Sequence, residues 1–60
     1  MISVQERRHF DIVPVWNLPA VRNKLISHRM VLKDPGVHKY LDERIKYVEA
    51  RMRRAGYTLQ

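Results

Sequence analysis

Cysteine is absent from this chain, which excludes disulfides and thiolate metal sites. Without cross-links, 60 residues make a marginal core, because so short a domain buries only about 60% of its unfolded surface. Gly36 and Gly56 are the only glycines, so there is no glycine-rich phosphate loop. No apolar run approaches the roughly 18 residues that a bilayer-spanning helix needs. A signal peptide is not expected, since Glu6, Arg7 and Arg8 stand where its apolar segment would lie. One domain over residues 1–60, located in the cytoplasm, is the resulting expectation.

Acidic residues are also few. Six oppose 12 lysines and arginines, giving a formal charge of +6 and a pI near 10.3. That balance attracts nucleic acid, an anionic membrane or an acidic protein. His9, His28 and His38 are too scattered for a local ligand pattern, so no metal or other cofactor is expected. Ser3 and Ser27 are not spaced with a histidine and a carboxylate as an activated nucleophile would be, and the chain does not read as an enzyme.

The strongest local signal is a helix beginning at Asp34-Pro35 and closing at Gly56. Asp34 caps the first amides, proline suits the first helical position, and Gly56 can take the left-handed closing conformation. Within it His38, Leu41, Ile45, Val48, Met52 and Ala55 form one apolar stripe. A preceding helix is expected to be capped by Asn17 with Pro19 in its first turn, with Leu18, Val21, Leu25, His28 and Leu32 on one face and Ile26 and Met30 on the next. His28 and His38 thus fall on apolar faces, where a buried, hydrogen-bonded histidine is expected. In the tail, Leu59 can fold back on the long helix.

Residues 2–13 admit two readings. Ser3 and Glu6 have capping-box spacing for a helix from Val4 to about Arg8, whereas the alternation in His9–Val13 favours an extended strand ended by Pro14. The expected fold is mainly α: a short N-terminal extended segment or strand, then helices at about 18–32 and 35–55, completed by dimerisation or a partner.

Two charged flanks border the apolar stripe of the long helix. Lys39, Lys46 and Arg53 share one flank with Asp42, Glu43 and Glu49, and the i,i+4 pairs Asp42–Lys46 and Glu49–Arg53 predict a locally neutralised surface. Tyr40, Arg44, Tyr47, Arg51 and Arg54 form the other, and Arg44 and Arg51 have no compensating acid on the same side. Arginines interleaved with aromatics suit phosphate contacts and base packing. The alternative is tyrosines edging a core with arginine stems over apolar neighbours. Arg22, Arg29 and Lys33 make a second basic line that reads as a solvated face.

The order short strand, helix, turn, longer helix in a basic chain resembles the ribbon–helix–helix repressors of the Arc and MetJ kind. The residues that carry it are His9–Val13 for the strand and Gly36–His38 for the start of the second helix. The resemblance implies a homodimer whose paired strands enter the major groove, with Arg7, His9 and Asp11 facing the bases.

The leading functional expectation is therefore a small regulatory protein that binds nucleic acid, double-stranded DNA first. Tyr40, Arg44, Tyr47, Arg51 and Arg54 would contact the backbone, and Arg7, His9 and Asp11 the bases. The alternative is a protein-interaction module, such as a small phage- or plasmid-type regulator that docks Trp16, Ile26 and Met30 on a larger host protein with an acidic surface. A membrane partner is not expected.

Overall fold

Asp34 ends the extended residues 32–34, and its carboxylate accepts from the Gly36 and Val37 amides at 2.8 and 3.4 Å. That cap starts the longest helix of the computed structural model, which describes residues 2–58. In chain order the elements are α1 (Val4–Asp11), a 3₁₀ turn (Val15–Asn17), α2 (Leu18–Val31) and α3 (Pro35–Arg54). The architecture is mainly α, and no strand occurs among the described residues.

Closure of α3 also follows its sequence. Gly56 takes φ 94°, the Tyr57 amide donates to Met52 O at 3.0 Å and the Gly56 amide to Arg53 O at 3.0 Å. This double bond pattern satisfies carbonyls that a helix end leaves open. It also folds Tyr57 back onto the core beside Met52. Leu59 lies outside the described residues.

α2 and α3 pack antiparallel. Arg22 pairs with Glu49 at 2.8 Å and Arg29 with Asp42 at 2.6 Å, so advancing seven residues on one helix retreats seven on the other. Between them lie the buried side chains Leu18, Leu41, Ile45, Val48 and Met52, with Phe10, Val13, Val21, Leu25 and Tyr57 packed around Leu18, Val48 and Met52. The Cα envelope measures 32 × 27 × 14 Å, so its shortest dimension is little more than one helix diameter of about 10–12 Å. So flat a molecule leaves much of each helix in solvent.

Three expectations are corrected here. Residues 9–11 continue α1 instead of forming a strand, and residues 12–13 turn away from it. The physical reason lies in the half-buried residues of this segment, Ile2, Glu6, Phe10 and Val13. Their spacing of four, four and three is helical, and a lone strand would have no partner for its backbone. Ser3 does cap this helix, accepting from the Glu6 amide at 3.2 Å. Asn17 makes no side-chain cap, because the 3₁₀ turn already holds its backbone in the helical region. His28 is exposed, and half-buried His38 bonds the Leu32 carbonyl across the α2–α3 turn, so neither is a core histidine.

Candidate nucleic-acid interface

The flank of α3 that carries Tyr40, Arg44, Tyr47 and Arg51 is where α1 docks. Arg44 is only 5% exposed, and its guanidinium lies over the Tyr40 ring, 3.2 Å from the centroid. Its Nη1 donates to Tyr40 O at 2.8 Å and its Nη2 to the Glu6 carboxylate of α1. Tyr47 Oη donates to Asp11 Oδ1 at 2.7 Å, and its ring meets Phe10 with centroids 6.0 Å apart. Arg51 Nη1 donates to the carbonyls of Phe10 and, at 3.3 Å, of Val13. The first of these carbonyls lies in the last turn of α1 and the second just beyond it, where the helix dipole is negative, so an arginine is the complementary side chain.

The line that looked uncompensated is therefore compensated from α1. Its carboxylates, Glu6 and Asp11, lie 38 and 36 residues away in sequence from the side chains they meet. The hydrogen bond to Asp11 raises the Tyr47 phenol above its ordinary value of 10.0, with burial and the Asp11 charge adding to the effect. Of the three arginines in this group, Arg54 alone is exposed and without an ion pair among the described residues. Asp11 is taken by Tyr47, and exposed His9 rests edge-on against Phe10 at 5.9 Å. With no strand to present them, neither points along a ribbon.

The opposite flank changes in the reverse sense. Asp42 and Glu49 turn to Arg29 and Arg22 of α2 and away from Lys46 and Arg53. The basic line of α2 is thus neutralised at Arg22 and Arg29. Lys39, Lys46 and Arg53 are left exposed, at i, i+7 and i+14 on the outer side of α3, without an ion pair among the described residues. Arg7 of α1 comes beside this surface, in a shallow depression with Ile2, Glu43 and Lys46. Sequence spacing alone could not reveal the exchange, because each acid has a base at i+4 as well as one across the helix pair.

Of the proposed partner-interface residues, Trp16 is 76% and Met30 75% exposed, whereas Ile26 is half-buried. Ile12, at 78%, is exposed as well; a strand over His9–Val13 would hide this, whereas at the C-cap of α1 its side chain stands in solvent.

An open cleft of about 520 Å³ lies between the three helices, lined by Phe10, Leu25, His28, Tyr40, Leu41 and Arg44 among others. Arg44 faces it with its charge already spent on Glu6. No three His, Asp or Glu side chains among the described residues converge as metal ligands would. No described helix is long and apolar enough to cross a membrane. No family model, curated protein or solved structure matches the chain.

Proposed function

We propose that this chain binds nucleic acid, DNA in a regulatory role first, through phosphate contacts from the outer face of α3. The observation that carries the reading is the diversion of Asp42 and Glu49 to α2, which takes from Lys46 and Arg53 their i,i+4 acids and leaves Glu43 as the acid beside Lys39 and Lys46. At a rise of 1.5 Å per residue these cations recur about every 10 Å along one face. Arg54, Arg7 and Arg8 are exposed as well and widen the field around that line. Exposed cations on a rigid helix release counterions from a polyanion without first breaking intramolecular bonds. Arg44 and Arg51, in contrast, would have to abandon Glu6 and two carbonyls, so they are assigned to the fold.

Fluorescence anisotropy with labelled DNA over a range of salt concentrations tests this reading. Affinity falling with a log–log slope of several units is the expected result. A flat salt dependence, or no binding at low salt, rules it out.

A second reading, docking on a larger protein, is favoured by Met30 and Val31, both 75% exposed at the end of α2. An acidic partner would suit the surrounding charge, and self-association would use the same pair. Sedimentation with and without DNA separates the readings: a complex with DNA favours the first, and a species that ignores DNA but self-associates favours the second.

A further inference from the structure

The open cleft of about 520 Å³ takes one face from each of the three helices. α1 supplies Gln5 with His9 and Glu6 with Phe10, each pair at i,i+4, and α2 supplies Leu25 and His28 at i,i+3. Tyr40, Leu41 and Arg44 of α3 complete it. Such spacings keep each set on one side of its helix, so the cleft is a space that the packing leaves between helices. Its size falls in the range of roughly 300–1,000 Å³ usual for small-molecule sites. Among the described residues, the hydrogen bonds from α1 to other helices go to Arg44, Tyr47 and Arg51 of α3, and none reaches α2. The most enclosed lining side chains are apolar: buried Leu41 and half-buried Phe10 and Leu25. His9, Phe10, His28 and Tyr40 bring four rings to the same space. Arg44 lies over the Tyr40 ring at 3.2 Å, yet Tyr40 stays 52% exposed. Of the lining residues only Glu6 and Arg44 carry a full charge at pH 7, and they pair with each other.

The geometry points to a binding site in this cleft for a small, uncharged, planar aromatic molecule with a polar edge. The ligand's ring packs against Phe10 and Tyr40, because aromatic pairs attract beyond the area they bury. Its polar edge meets the exposed rim, where Gln5, His9 and His28 can each donate or accept a hydrogen bond. An ionic ligand would give up water for a cleft whose one cation and one anion already satisfy each other. The site goes beyond the nucleic-acid reading and does not depend on it, since Lys39, Lys46 and Arg53 do not line it.

Indole is the probe, titrated into the full chain at pH 7 and followed by NMR, with cyclohexanol, indole-3-acetate and tryptamine as controls. Saturable shifts at the Leu25 and Leu41 methyls and the Phe10 and Tyr40 rings are expected, with a dissociation constant of about 1 mM for a ligand of that size. Cyclohexanol, which has no ring face, and the two charged indoles should bind more weakly. Tyr40→Leu keeps apolar bulk but removes the ring, and should weaken indole by about 2- to 10-fold without changing cyclohexanol binding. Should circular dichroism show that this variant unsettles the fold, His28→Trp, at an exposed rim position, fills part of the cleft and is expected to weaken indole instead. No saturable shift, or shifts centred on Trp16 or Met30, overturns the site. Cyclohexanol binding as tightly as indole overturns the aromatic preference, and a charged indole binding more tightly overturns the assignment of an uncharged ligand. Failure of DNA binding leaves all of these outcomes readable, because the residues and the probe differ.

Discussion

Arg44→Ala separates a structural arginine from a ligand-binding one. The guanidinium donates to the Glu6 carboxylate and to Tyr40 O at 2.8 Å, and lies 3.2 Å from the Tyr40 ring centroid. Hydrogen bonds to a charged group contribute about 1.5–3 kcal/mol net, and a cation–π contact about 0.5–2. Losing the guanidinium also removes its desolvation cost, and the Glu6 side chain, 38% exposed, recovers water. The net destabilisation should be about 2–3 kcal/mol. A domain of this size has roughly 3–9 kcal/mol in total, so the change is large. With a urea m-value near 1 kcal/mol/M, the midpoint should fall by about 2–3 M. Arg44→Met, which keeps much of the stem, should recover part of this. A cycle with Glu6→Gln should give a coupling of about 1 kcal/mol. Hydrogen exchange should locate the loss in α1, whose amides become less protected. An unchanged urea midpoint together with a marked loss of DNA affinity would refute the reasoning and return Arg44 to the binding surface.

Other perturbations test the frame around it. Leu18→Ala empties a fully buried site where α2 begins, and should cost about 2–5 kcal/mol, seen as collapse of the thermal transition in circular dichroism. Gly56→Ala meets no atom within 4 Å but forces an alanine to φ 94°, so a melting shift equivalent to about 1 kcal/mol is expected from backbone strain alone. The raised Tyr47 phenol holds its proton more tightly when folded. Its stabilising effect is thus complete below pH 10 and is lost as pH rises through the shifted value. Tyr47→Phe should remove that part of the alkaline stability loss, measured by urea titrations at several pH values.

Much of the backbone was legible because its signals are local. Asp34, Pro35 and Gly56 bound α3, and Pro19 and the Leu18–Val21–Leu25 spacing locate α2. α1 was half legible. Its Ser3 cap could be named, but its inward stripe includes Glu6, and a polar residue on that stripe hides the helical period behind the alternation of His9–Val13. The charges were the least legible, for one physical reason. Helix-local spacing gives each acid a neighbour at i+4, whereas tertiary packing offers Asp42 and Glu49 arginines on α2, with a planar fork suited to carboxylates. The same packing brings Glu6 to Arg44, a pair that local spacing does not contain.

The most direct test of this exchanged charge pattern is the salt dependence of duplex DNA binding by the variant Lys39→Gln, Lys46→Gln, Arg53→Gln. If these three cations contact phosphates, the log–log slope should shrink in magnitude by about 2.7, or 0.9 per contact, with the fold unchanged. A slope equal to that of the unaltered protein would contradict the account and take the binding surface off the outer face of α3.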